Sequence, residues 1–276
     1  MALPLSMALA IASGAPPQHG LYTAIVAGMV TALLGGSRTQ VSGPTAAFVV
    51  ILAPICAQHG LGGLLVASMM AGVILLLLGF ARMGQLIQWI PHPVTTGFTA
   101  GIGVVIATMQ LKDFLGLTVV DMPDHYVERV GAIVQALPTF SAPDFCLGVV
   151  ALGILLYWPR VGSRVPAPLV ALAVASVIPV VAGIDVATIG SQFSYDGGRG
   201  IPRGLPSPTL PWLFGGADGA PLHLDFKLVR ELFPSAFAIA MLGAIESLLS
   251  AVVADGMAGT RHDPNAELLA QGAANI

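Results

Sequence analysis

Hydrophobic residues along this chain run in long blocks separated by short polar punctuation, a pattern that predicts a string of apolar helices. No Lys, Arg, Asp or Glu occurs from Met1 to Ser37, from Thr39 to Ala81 or from Met83 to Leu111. A helix crosses a bilayer with about 20 apolar residues, fewer where it is broken against a cavity. Spans are therefore expected at 1–14, 20–36, 44–58, 62–80 and 92–111, divided by Pro16-Pro17, Gly35-Gly36-Ser37-Arg38, Gln58-His59-Gly60 and the segment from Arg82 to Pro93. Further spans are expected at 143–158, 166–183 and 233–253. The polar stretch from Lys112 to Ala142 and the Pro/Gly-rich stretch from Asp185 to Pro221 read as connectors, the second ending in a surface helix near Phe226 to Phe233. The fold class is thus an all-α integral membrane protein, and 1–276 reads as one partial transmembrane domain.

Composition sharpens this picture. Hydrophobic residues make up 55% of the chain and charged residues 9%, against about 25% charged in a soluble domain, so lipid must be the main solvent. The net charge of −3 and the lack of a basic run exclude a nucleic-acid partner. Cys56 and Cys146 have no CxxC or Cys/His spacing and read as free thiols. The six histidines are scattered over span ends and loops, so no metal is assigned. Gly97 and Gly101 form a GxxxG step that predicts close helix packing. Thr95, Thr96, Thr99 and Gln110 are candidates to line a pathway or to bond neighbouring helices. Lys and Arg in short loops place the N-terminus in the cytoplasm: Arg38, Arg82, Arg160, Arg164 and Arg261 then all lie inside. The block at Met1 lacks a basic leader and a cleavage site, so it reads as a helix missing its opening residues.

Two segments carry candidate chemistry. In Gln40-Val41-Ser42-Gly43-Pro44-Thr45-Ala46-Ala47-Phe48 a β-favouring triplet meets a Gly-Pro step, and the helix that follows is expected to start at Pro44. Its apolar body, to about Gln58, is roughly 22 Å long, short of a bilayer core of about 30 Å. A broken helix starting at membrane depth would point free N–H groups and a positive dipole end into a cavity, where anions bind. A helix that begins at the membrane surface is the alternative. In Ala240 to Ser250, Glu246 is a lone carboxylate midway along an apolar span, a costly placement that marks a coupling or substrate site. Ser250 follows at i+4 on the same helix face. A carboxylic acid held by a neighbouring helix is the alternative there. Asp255 reads as a solvated or loop-anchoring group.

These residues resemble a known family. Leu3 to Ala12, then Pro16-Pro17-Gln18-His19-Gly20-Leu21-Tyr22, Gly35-Gly36-Ser37-Arg38 and Val41-Ser42-Gly43-Pro44-Thr45, look like the opening of the sulfate permease family, the SulP or solute carrier 26 transporters. Ile201 to Pro206, Gly243 to Ser250, Arg261 to Asn265 and Glu267 to Gly272 are similar to the same family's eighth-span region. The resemblance implies two inverted seven-helix repeats, a core domain moving against a gate domain, and a cytoplasmic STAS domain after the last span. It implies substrate between two facing half-helices. The anion would meet backbone N–H groups around Thr45, Ala46 and Ala47, with Phe48 lining the pocket and Leu5 and Leu9 flanking it. Glu246 and Ser250 match the family's acidic and hydroxyl positions, where some members bind sodium; proton coupling, sodium coupling and plain exchange stay open here, with a lean towards the proton. Against that pattern, the start of span one, the later spans and the STAS domain are absent, so transport is not expected from this polypeptide alone.

The expected function is secondary transport of a small anion, bicarbonate, sulfate, chloride or a dicarboxylate, by alternating access. A coupling proton or sodium ion is expected and no other cofactor. The partners are the anion, the lipid bilayer and, in the complete protein, a second copy as a homodimer. The location is the cell membrane, a bacterial inner membrane, multi-pass. The alternatives are a nucleobase–cation symporter of the same fold, and a transport-inactive scaffold or voltage responder. No nucleophile–base constellation or phosphate loop points to an enzyme.

Overall fold

The apolar blocks fold into helices whose ends fall at Pro, Gly and capping side chains. The computed structural model describes residues 2–87, 92–119, 123, 126–184, 186–195, 198–202, 204, 209–217, 219–220 and 222–276. His125, half of the Ile201 to Pro206 motif and the side chains of Thr95 and Thr99 lie outside the described residues. In order, the helices are α1 (Ala2–Ala12), α2 (Pro17–Leu34), α3 (Val49–Phe80), α4 (Gly84–Ile87), α5 (His92–Phe114), α6 (Tyr126–Gln135), α7 (Ala142–Tyr157), α8 (Ala167–Ala182), α9 (Ile189–Gln192), α10 (Phe226–Ala258) and α11 (Pro264–Ala274). Among the described residues, three helical stretches, Ala46–Phe80, Ala142–Val161 and Phe226–Ala258, are long and apolar enough to cross a membrane, and two shorter apolar helices, Ala2–Ala12 and Ala167–Ala182, accompany them. Large apolar side chains face outward, among them Leu33, Phe80, Val180, Val181 and Val253. Such a surface suits lipid rather than water.

The chain divides into two compact units, Gly103–Pro202 and Ala2–Ile102 with Arg203–Ile276. The first contains the packed pair α7 and α8, the amphipathic helix α6 and a two-residue antiparallel hairpin pairing Ser194–Tyr195 with Gly198–Arg199. Leu117, Ile133 and Ala136 form its small buried cluster. Helix α6 lies in the stretch expected to be a polar connector; Glu128 in its first turn and a one-sided apolar face centred on Ile133 explain why it is helical.

The second unit is built on α3, α10 and α11. Ala67, Ala71 and Leu75 of α3 and Leu232, Ala236, Ala240, Ala244 and Leu248 of α10 recur every fourth residue and are almost fully buried. Every fourth residue marks one stripe of a helix, and small residues in that stripe let backbones approach. Helices α3 and α11 meet backbone to backbone: a Cβ on Gly272 would come within 2.8 Å of Leu76 N and 2.9 Å of Gly72 O. The buried hydroxyls of α1 and α2 answer to their own helices, Ser6 donating to Ala2 O at 2.6 Å and Thr31 to Ala27 O at 2.8 Å.

Three expectations change. The helix does not start at Pro44: Thr45 is extended (φ −120°, ψ 141°), a 3₁₀ turn follows at Ala46–Phe48, and α3 begins at Val49. The expected division between 44–58 and 62–80 is present as a kink within α3 at Gly60, whose φ of 68° and ψ of −174° are non-helical and suit a residue without a Cβ. The surface helix near Phe226 to Phe233 and the span 233–253 are a single helix, α10, because Asp225 caps it through Leu228 N at 2.8 Å and Leu228 and Leu232 continue its buried stripe through Pro234. At Gly97 and Gly101 an added Cβ would meet nothing within 4 Å among the described residues, so that GxxxG step does not serve close packing here.

Candidate functional site

The chain leaves α2 at Gly35, bends at Gly36, Arg38 and Thr39, and reaches an extended Thr45 before turning into the 3₁₀ segment Ala46–Phe48. Such a segment cannot satisfy all its own polar groups, and here α10 and α11 supply the partners. Gln40 Nε2 donates to Ser247 Oγ at 3.5 Å, and Gln271 Nε2 donates to Ser42 Oγ at 2.9 Å. Thr45 Oγ1 donates to Glu246 Oε1 at 3.4 Å and accepts from Ala47 N at 3.4 Å. The Thr45 side chain therefore both caps the broken helix and ties it to the intramembrane carboxylate. Among the described residues, the N–H groups of Thr45 and Ala46 have no hydrogen-bond partner; that of Ala47, also expected to be free, is held by the Thr45 hydroxyl.

Glu246 is half-buried, and its Oε2 is a buried atom without a hydrogen-bond partner among the described residues, as is Gln40 Oε1. Such acceptors are normally satisfied. Phe48 packs on the core beside Glu246's helix, since a Cβ on Gly243, three residues before Glu246, would lie 3.5 Å from Phe48 Cζ. Thr45, Ala46, Ala47, Phe48 and Glu246 are thus brought together. Leu5 is 50% exposed and Leu9 half-buried, and the α1 residue that packs against the core cluster with Phe48 is Ala10. Ser250 is exposed on α10 and stands outside the hydrogen-bond network that joins Glu246 to Thr45. Asp255 anchors a loop: it accepts from His262 N at 2.8 Å and Thr260 Oγ1 at 2.7 Å, and meets His262 Nδ1 at 2.7 Å.

Sequence reasoning missed the polar group behind the site. Ser247 Oγ donates to Glu267 Oε1 at 2.6 Å, Gln271 Nε2 reaches Ser247 Oγ and Glu267 Oε1 at 3.3 Å each, and Gly36 N donates to Glu267 Oε2 at 3.1 Å. Two signals pointed to it: Gln40 and Ser42 share one face of an extended triplet, and Glu267 and Gln271 share one face of a helix at i, i+4. Among the described residues, no three His, Cys, Asp or Glu side chains gather in a metal-holding arrangement.

Apolar helices in lipid, one broken at Thr45 against a carboxylate inside the membrane, define a multi-pass membrane protein with the fold of a transporter. The chain belongs to the sulfate permease family, which it matches over residues 1–276. It is 46% identical to the putative sulfate transporter YvdB of Bacillus subtilis, over 100% of this chain and 49% of that protein. It is 31% identical to the bicarbonate transporter BicA of Picosynechococcus, over 100% of this chain and 47% of that protein. The transmembrane domain of a cyanobacterial BicA superposes with a TM-score of 0.83 at 29% identity, covering 100% of this chain and 67% of that one. SLC26A9 shares the fold, with a TM-score of 0.81 at 20% identity over 99% of this chain and 44% of that one. The chain spans about half the length of the curated relatives it matches.

Proposed function

We propose that this chain carries half of the binding site of a secondary transporter for small anions, with bicarbonate and sulfate the first substrates to test, chloride and dicarboxylates next, and that it works by alternating access within a complete protein. The observation that carries this reading is the broken helix at Thr45, whose N–H groups at Thr45 and Ala46 lie next to the Glu246 carboxylate through the Thr45 hydroxyl at 3.4 Å. A helix N-terminus attracts an anion, and a charged carboxylate beside it repels one. Unit charges roughly 4–8 Å apart interact by about 2–4 kcal/mol at an effective dielectric near 20, so neutralising Glu246 changes anion affinity by more than tenfold. A proton or sodium ion on the unpartnered Oε2 would supply that neutralisation. Anion and cation then bind together and move together.

The basic loops put the N-terminus in the cytoplasm. The complete transporter is a homodimer in the bacterial inner membrane. The test uses the whole gene product in proteoliposomes with imposed proton or sodium gradients and labelled sulfate or bicarbonate. Glu246→Gln, neutral at every pH, is expected to abolish gradient-driven uptake while the protein still folds. Wild-type driven uptake by that variant would sink the coupling role. Competition by uracil would redirect the reading to a nucleobase substrate.

A further inference from the structure

Glu267, at the start of α11, is 3% exposed, and among the described residues no cation pairs with it. Burying a carboxylate without a cation is costly unless donors surround it. Three do, and they come from three different parts of the chain: Ser247 of α10 at 2.6 Å, Gln271 of its own helix at 3.3 Å, and the Gly36 N–H just after α2 at 3.1 Å. Gly36 is gripped from both sides, because its carbonyl also accepts from Asp263 N at 3.0 Å. There is no room to loosen the fit by substitution, since a Cβ on Gly36 would run into Asp263 O. From Gly36 the connector passes over the same polar group, bonded through Gln40 to Ser247 and through Ser42 to Gln271, and ends at Thr45 beside Glu246. Apart from the Asp263 N–H on the Gly36 carbonyl, every tie from the connector to α10 and α11 before Thr45 is made to Glu267 itself or to a side chain bonded to it. An apolar residue at 267 would fill the space without holding the connector.

We propose that Glu267 is a positioning residue of the anion site: it clamps the connector from Gly36 to Thr45 against α10 and α11, and so sets where the N–H groups of Thr45 and Ala46 stand. It touches no substrate. Because the broken helix begins where the connector ends, a slack connector lets the N–H groups drift from the anion, which weakens binding more than turnover.

This rests on the anion reading above, and two measurements separate the failure of one from the failure of the other. In proteoliposomes of the complete transporter, Glu267→Gln is expected to raise the anion KM about tenfold with kcat within about threefold, the signature of lost binding geometry. Ser42→Ala, which cuts one tie on the connector and leaves Glu267 buried as before, is expected to raise KM about threefold and to add little to Glu267→Gln, since both act through one clamp. Unchanged KM in Ser42→Ala and Glu267→Gln, or fully additive effects, would overturn the proposal; so would a fall in kcat with no change in KM. The second measurement needs no substrate. Amide exchange in the segment 36–48 is expected to quicken about tenfold in either variant while exchange beyond Gly60 stays as in wild type. Unchanged exchange in that segment overturns the clamp whatever the transport result, and a wild type that exchanges slowly there yet takes up no anion overturns the anion reading and leaves the clamp standing.

Discussion

In Ala46–Phe80 and Phe226–Ala258, 44% of the most apolar stretch is buried within the protein, whereas in Ala142–Val161 none is. All three are hydrophobic enough to cross a bilayer, the buried pair being the more apolar, and the pair also differs in the small side chains along its buried stripe. The buried pair puts Ala at 67, 71, 236, 240 and 244, each 0% exposed, where backbones meet. In the other unit, α7 buries no residue and α8 buries only Ala171, while Val and Leu point outward. Between apolar helices in lipid the hydrophobic effect gives no preference, so close packing and hydrogen bonds decide which helices associate. The polar side chains of the candidate site sit on the tightly packed helices, where a displaced N–H group or carboxylate cannot relax.

The largest effect should come where α3 and α11 meet backbone to backbone. Gly272→Leu places a side chain against the α3 backbone at Leu76 N, 2.8 Å from the added Cβ, and backbone cannot step aside as a side chain can. The complete protein is expected to lose its monodisperse peak in size-exclusion chromatography. A normal peak and a melting point within a few degrees of wild type would mean that α3 and α11 do not cross at the glycines. Ala240→Leu comes next: overpacking a filled stripe costs about 1–3 kcal/mol. A thermal shift of the solubilised protein should read it as a clear loss of Tm with the peak retained.

The same contrast explains what could be read from the sequence. The broken helix and Glu246 were legible because their signals are local: a Gly-Pro step before a short apolar run, and one carboxylate in an apolar span. The clamp was not, because Gly36 and Glu267 are 231 residues apart and nothing near either names the other. Sequence periodicity paired Glu246 with Ser250 at i+4, but burial selects Ser247, about 100° further round the helix, as the hydroxyl that bonds inward. The expected surface helix near Phe226 to Phe233 ends just before Pro234. Proline costs a helix one hydrogen bond and some strain, and the buried Leu228, Leu232 and Ala236 outweigh it here. The α3 start moved from Pro44 to Val49 because the Thr45 side chain offers the better cap.

The smallest effect is the one that tests the other side of the comparison. Val181, near the end of α8, is 80% exposed, and Val180 beside it is 82% exposed. If lipid is what covers this end of α8, Val181→Ala trades one apolar contact with acyl chains for a smaller one, and surface changes of that kind stay within about 0.5 kcal/mol. The melting temperature of the complete protein should move by no more than about 2 °C. A fall several times larger would mean that protein, not lipid, packs against α8 in the complete protein. The open face of α8 would then be a packing surface of the same kind as α3 and α10, and the distinction between a buried, site-bearing unit and a lipid-facing one would fail at that helix.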